Sequence, residues 1–265
     1  MPHCPHGFIP VLSPRFPLDA FLAPYAAHLT GQALISLPEL LSAPLTRLRL
    51  PTLNLLLDSG GFAALDPRSQ VTPLPGGLAA LHLPDGRRVP PADVLQAAER
   101  TGAAVTFTLD FPARGDHAGT HFAANLANAR WTLAQPRPCQ VFASVQPGQD
   151  LAPILDANPD GIALGGLAPH ARNHPHLTAE VRRVRDQIGQ LPLHVFGIGH
   201  PKGVRAVMRA GATSVDSSGP QRRAASNRTW DGTHVPDPAL HERVRLATLN
   251  LQASVQAAQI GRAHV

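Results

Sequence analysis

Apolar residues in this chain gather in short runs, at residues 8–12, 33–37, 53–57, 104–109, 140–145, 161–164, 193–197 and 212–216, and most runs do not alternate with polar positions. Short runs rich in Val, Ile, Leu and Phe fit parallel strands covered on both faces, where neither side of the pleat meets water. Between most of them the spacing turns helical. Residues 92–101 follow a Pro-Pro start, and 120–134 carry Phe122, Leu126, Ala129 and Leu133 at helical intervals. Residues 178–188 set Val181, Val184 and Ile188 on one face with Thr178 as candidate N-cap, and 202–210 stop at Gly211. A last helix is expected to start at Asp237-Pro238, cap and first helical position, to run to about Ile260, and to pack on the outside. Residues 261–265 are expected to fray. Strand and helix in alternation predict right-handed βαβ units, and eight strands predict an α/β fold of the (β/α)8 TIM-barrel type. The expectation is one domain over residues 1–265, with a C-terminal helix. Pro84-Asp85-Gly86 is a turn signal and marks a small hairpin between the third and fourth strands.

That fold makes the ends of the runs informative, because barrel active sites are built where strands end. Asp58-Ser59-Gly60-Gly61 follows the third run and Asp110 the fourth. Gln146 and Gly148 follow the fifth, Gly165-Gly166 the sixth, Gly197 and Gly199 the seventh, and Asp216 closes the eighth. Three carboxylates and three glycine patches on one rim outline a pocket, and the glycines permit close approach to the backbone. Each aspartate alone reads equally well as a helix cap after a strand.

Composition narrows the class. The 265 residues are 43% hydrophobic and 15% charged, which is globular and not disordered. No run of eighteen apolar residues and no basic-then-apolar leader is visible, so the expectation is a cytoplasmic protein without a membrane span. Cys4 and Cys139 are too few for a disulfide framework or for a zinc site of three or four thiolates within the chain, and no metal or other cofactor is expected. The formal charge of +5 is almost wholly arginine, since Lys202 is the only lysine. Arginine suits bidentate phosphate contacts, so nucleic acid is a plausible partner. A coding bias that replaces Lys with Arg explains the same charge.

Several of these segments resemble one family. Leu57-Asp58-Ser59-Gly60-Gly61-Phe62 is similar to the signature strand end of tRNA-guanine transglycosylases. The stretch from Asp160 through Gly165-Gly166-Leu167-Ala168 resembles their base-binding glycine loop, and Phe196-Gly197-Ile198-Gly199-His200-Pro201 with Ser214-Val215-Asp216 resembles the stretch leading to their nucleophile. Arg130-Trp131 and Thr229-Trp230-Asp231-Gly232 add weaker matches in the same order. The resemblance implies a base exchange in nucleic acid, guanine replaced by a 7-deazaguanine such as preQ0 or preQ1.

It also implies roles. Asp216 matches the nucleophile that attacks ribose C1′ and forms a covalent glycosyl-carboxylate intermediate. Asp58 matches the proton-transfer carboxylate, and Asp110 the acceptor for the purine's donor edge. Gln146 stands in the place of a base-binding glutamine pair whose second member is here Pro147. The backbone of Gly165, Gly166 and Leu167 would read the base, with Gly197 beside it and Phe196 covering its face. Arg222 matches a basic residue at the nucleic-acid backbone, with Arg223 beside it on an arginine lip. No cysteine follows Cys139, so neither the family's zinc site of three cysteines and a histidine nor its usual C-terminal subdomain is expected here. The branch implied is a zinc-less one acting on DNA in preference to tRNA, with a partner protein or homodimer supplying further surface. The alternatives are a transglycosylase-like paralogue that binds nucleic acid or a partner without catalysis, and an unrelated barrel enzyme. Three other features read blandly: His3, Cys4 and His6 as a terminus, His170, His174 and His176 as a solvated loop, and His194 as facing the core or a helix.

Overall fold

The computed structural model describes residues 4–48, 50, 53–113 and 115–263. Along the chain run β1 (Gly7–Pro10), α1 (Pro17–Thr30), β2 (Gln32–Ser36), α2 (Leu37–Ser42) and β3 (Asn54–Asp58). A side sheet follows, of β4 (Gln70–Pro73), β5 (Ala79–His82) and β6 (Arg88–Val89). The chain then returns through α3 (Pro91–Thr101), β7 (Val105–Phe107), α4 (Ala118–Leu133), β8 (Gln140–Val145), α5 (Ala152–Leu155) and β9 (Gly161–Leu164). It ends with α6 (His174–Ile188), β10 (Leu193–Val195), α7 (Pro201–Arg209), β11 (Ser214–Ser217), α8 (Gly219–Ala225) and α9 (Leu240–Arg262).

Eight strands form one parallel sheet in the order β1-β11-β10-β9-β8-β7-β3-β2. Its two edges meet where Val11 bridges Leu34, and Leu12 N–H donates to Leu34 C=O at 2.9 Å. The sheet thus comes close to closing on itself in the manner of a TIM barrel, with helices outside. The side sheet is antiparallel, β4-β5-β6, so the expected hairpin carries one strand more than its turn signal revealed.

The unbroken apolar runs conceal a period of two that the packing resolves. Ile9, Leu34, Leu56, Val105, Phe107, Phe142 and Ala163 form one cluster that fills the barrel, with Phe196 packed against it. Their neighbours Phe8, Ile35, Leu55, Val141, Ala143, Ile162, Leu164, Leu193, Val195 and Val215 belong to the cluster shared with the surrounding helices. Successive side chains of a strand point to opposite faces, so both sets are apolar because both faces are buried. A fully buried Leu, Val or Phe contributes roughly 1.5–3 kcal/mol, which makes this two-sided burial the main support of the fold.

Helix ends follow local chemistry. Pro17, Pro91 and Pro201 start α1, α3 and α7, where a missing N–H costs nothing. Gly31 and Gly102 stop α1 and α3 in the left-handed conformation, at φ 63° and 62°. Two expected caps are replaced. The cap of α6 is Asn173, whose side-chain Oδ1 accepts the His176 N–H at 3.2 Å, and Thr178 lies inside the helix. The helix α9 begins at Leu240 after Ala239, whose N–H donates to the Glu242 carboxylate at 3.2 Å, while Asp237 sits at φ 42°. It also runs past the expected end to Arg262, and Gly261 is buried against Met208, where a Cβ would stand 2.6 Å from the Met208 Cβ. Residues 264 and 265 lie outside the described residues. Asn250 ties α9 to the end of the barrel: its side chain accepts from Trp230 N–H at 2.8 Å and donates to Arg228 C=O at 3.0 Å and Pro220 C=O at 3.2 Å. Trp230 is correspondingly a packing residue, its indole N–H directed at Asn250 C=O and Ser254 Oγ. Among the described residues, no helix is long and apolar enough to cross a membrane.

Candidate active site

The strand ends open into one cavity of about 650 Å³, within the range of small-molecule sites. Asp58, Asp110, Gln146, Gly165, Gly166, Phe196, Gly197, Asp216 and Arg222 all line it. Parity explains the convergence. Asp58 stands two residues beyond the inward Leu56, and Asp216 is in register with the inward Ile9. Asp110 lies beyond the end of β7, where the ladder gives way: Thr108 Oγ1, and not a main-chain carbonyl, accepts the Ser144 N–H at 2.9 Å.

The loop after β3 is packed so tightly that its glycines have no substitute. Gly60 has φ 83°, and a Cβ there would fall 2.1 Å from Pro38 Cδ. A Cβ on Gly61 would lie 1.6 Å from the Asp110 carbonyl oxygen. This loop therefore rests directly on the backbone that carries Asp110. Gly165 and Gly166 make room for a different neighbour than the expected ligand. Cβ atoms on them would come within 2.7 Å of Gln146 Nε2 and Oε1 respectively. The Gln146 amide lies across the glycine pair and donates through Nε2 to Asp110 Oδ2.

Burial sets the protonation of the carboxyls. Asp58 is pushed from 3.8 up to about 7, first by desolvation and then by repulsion from Asp110 and Asp216, against the lowering effect of the Gly60 N–H and the Ser36 hydroxyl. Asp110 is raised to about 6 by desolvation, partly offset by the Gln146 amide. Asp216 is buried, with Oδ1 accepting the Gly197 N–H at 3.0 Å and lying 3.2 Å from His194 Nε2.

Two of the expected site residues lie elsewhere. Leu167 is fully buried, packs in the outer core and does not line the cavity; its carbonyl accepts the His170 N–H at 2.9 Å. Arg223 does not line it either, and its Nε donates to Thr229 C=O at 3.1 Å. It belongs instead to a cationic rim: the His200 imidazole has its pKa lowered by desolvation and by the nearby His174, Lys202, Arg223 and Arg172.

Sequence reasoning missed other lining residues. Phe62 is exposed at the mouth, one residue past the glycine pair. Asp19 and Glu39 stand in the first turns of α1 and α2 and are joined through Ser13, whose N–H reaches Asp19 at 2.8 Å and whose hydroxyl donates to Glu39. Asp19 is raised to about 7, chiefly by burial. Neither helix was predicted, so nothing in the sequence marked these two acids. Among the described residues, no group of three or more His, Cys, Asp or Glu side chains is placed to hold a metal ion.

Fold and site together define an α/β barrel with an acidic, partly protonated pocket at the C-terminal ends of its strands. No family model matches the sequence, and no curated protein matches it.

Proposed function

We propose that this protein is a base-exchange transglycosylase that removes guanine from a nucleic acid and installs a 7-deazaguanine through a covalent intermediate on Asp216. The observation that carries the reading is the convergence of Asp58, Asp110 and Asp216 on one cavity, where burial raises Asp58 to about 7 and Asp110 to about 6. Asp216 attacks C1′ of the target nucleoside. The glycosidic bond breaks, its electron pair leaves with guanine, and protonated Asp58 supplies the proton. The incoming 7-deazaguanine then loses a ring proton to Asp58 and displaces Asp216, so two inversions give net retention and Asp58 ends as it began. A group with a pKa of about 7 serves both steps, since acid and base forms coexist at neutral pH. Asp110, with its lower value of about 6, is mostly ionised there and acts as acceptor for the purine's N–H groups.

A duplex hides C1′ within its stack, so the nucleotide must be flipped out to enter. The rim around Arg222, Arg223, Arg172 and Lys202 supplies cations for the phosphates that stay outside. DNA is the preferred substrate and tRNA the second. What supports that order is that Cys4 and Cys139 are too few for the three-cysteine zinc site that the resemblance to tRNA-acting enzymes would imply. The test is exchange of labelled guanine into duplex DNA and into tRNA by the wild type and by Asp216→Asn, with mass spectrometry of the trapped adduct. The wild type is expected to label DNA and to carry the adduct on Asp216, and the variant to do neither. Absence of exchange into both nucleic acids, or undiminished exchange by Asp216→Asn, overturns the reading.

A further inference from the structure

We infer that His194 selects which oxygen of Asp216 attacks and then stabilises the same carboxylate as it departs. The inference rests on the base-exchange reading above.

His194 lies on β10 with its side chain wholly buried, in register with Ser214 of β11. Its Nε2 is 3.2 Å from Asp216 Oδ1, and its Nδ1 is 2.9 Å from Ser214 Oγ. To act as nucleophile Asp216 must offer a carboxylate, which only accepts, so in this inference Nε2 donates to Oδ1 and Nδ1 pairs with the Ser214 hydroxyl. The ring is packed against Phe107 at 5.0 Å and against Phe196 at 4.8 Å, between centroids. Two hydrogen bonds and two aromatic neighbours leave it one orientation.

The Gly197 N–H, 3.0 Å away, points at the same oxygen, Oδ1. Among the described residues, no hydrogen bond reaches Oδ2. One oxygen is thus held by two donors and the other is left with its lone pairs free, on a side chain that lines the cavity. Oδ2 is the nucleophile. The Oδ2–C1′ bond forms as the bond from C1′ to the base nitrogen breaks, the electron pair leaves with the purine, and Asp58 provides its proton. In the ester, Oδ1 is the carbonyl oxygen and still faces both donors. In the second step the incoming base binds C1′, the Oδ2–C1′ bond breaks, and its pair restores the carboxylate charge, shared with Oδ1. Fixed donors aimed at a developing negative charge stabilise the transition state that leads to it, and losing one such donor slows reactions by about 100-fold or more. His194 touches neither sugar nor base and is a positioning residue.

The experiment compares His194→Gln, His194→Asn and His194→Phe with wild type in two single-turnover measurements. One is the rate of Asp216 adduct formation on duplex DNA without incoming base, and the other is adduct breakdown when a 7-deazaguanine is added. Gln carries an amide N–H at nearly the position of Nε2, whereas Asn falls short and Phe has no donor. Adduct breakdown, in which the carboxylate charge develops, is expected to slow about 100-fold in the Asn and Phe variants, while adduct formation, in which that charge is lost, changes less than breakdown; the KM for DNA stays within about 3-fold of wild type, and Gln is expected to retain most of the breakdown rate. Wild-type rates in the Asn or Phe variant overturn the inference, as does an equal loss in Asn and Gln. If the Phe variant fails to fold, the Asn–Gln pair carries the comparison. A wild type that forms no adduct removes the base-exchange reading and this inference with it, whereas an adduct-forming wild type with unaffected His194 variants removes the inference alone.

Discussion

Replacing Asp58 by Asn should make the protein more stable at pH 8 and leave it unchanged near pH 4. In the folded chain the carboxyl titrates at about 7 instead of 3.8 because burial and the charges of Asp110 and Asp216 oppose ionisation. Between those values the native state holds a proton that the unfolded chain has released. Stability therefore falls as pH rises, being fully present below 3.8 and lost on passing through 7. A change of about three pH units at 1.36 kcal/mol each sets a ceiling of about 4 kcal/mol on the cost of ionising Asp58. Asp58 faces a cavity that water enters, so the expected gain for Asp58→Asn at pH 8 is between about 2 and 4 kcal/mol. The neutral amide resembles the protonated acid in size, so near pH 4 the difference should stay within about 0.5 kcal/mol. Urea denaturation of both proteins across pH 4 to 8 measures it, because other titrating groups largely cancel in the comparison. Asp19 and Asp110 are raised in the same direction and steepen the wild-type curve without creating the difference. A variant no more stable than wild type at pH 8, or equally stabilised at both ends, would refute the argument.

Two further substitutions probe the frame around the site. Gly61→Ala places a Cβ 1.6 Å from the Asp110 carbonyl oxygen, so the loop must move away from Asp110. It should cost about 1–3 kcal/mol in urea denaturation and, on the base-exchange reading, reduce that activity more than 10-fold; a variant as stable and as active as wild type would mean that the loop does not set the position of Asp110. Asn250→Ala strips hydrogen bonds from Trp230 N–H and from the Arg228 and Pro220 carbonyls, all at the seam between α8 and α9. About 3 kcal/mol should be lost, and a loss below 1 kcal/mol would show that water replaces those contacts freely.

The barrel strands could be read from the sequence because burial on both faces leaves unbroken apolar runs, and every expected run corresponds to a barrel strand. The helices were less visible where their buried face is interrupted. In α1 the buried Leu18, Leu22, Ala23 and Ala26 share the helix with exposed Phe21 and Tyr25 and an internal Pro24, so no clean stripe appears. α2, α5 and α8 are too short to repeat a pattern. The aspartates were visible because each ends an apolar run at a rim that the fold itself defines. His194 was not, since a histidine inside an apolar run looks like any core residue. Only the pairing of β10 with β11 brings its ring to Asp216. Asp19 and Glu39 are far from the other acids in sequence and meet them only because the barrel edges come together beside β1 and β2.

That gathering of acids bears on what the cavity can admit. Asp19, Glu39, Asp58, Asp110 and Asp216 line it, while Arg222 is the one arginine or lysine among the lining residues. A phosphate drawn inside would meet several carboxyls in poorly solvated surroundings, at a cost of several kcal/mol. An uncharged base and ribose meet acceptors suited to their N–H and O–H groups. The cations lie instead around His200 at the ends of β9, β10 and β11. On the base-exchange reading, an acidic interior beside a basic rim would sort a nucleotide into parts, drawing the nucleoside in and holding its phosphates outside. This division would also fix the direction of approach. On that reading the strand would lie on the side of the mouth where Arg222 of α8 lines the cavity, close in sequence to Asp216 at the end of β11.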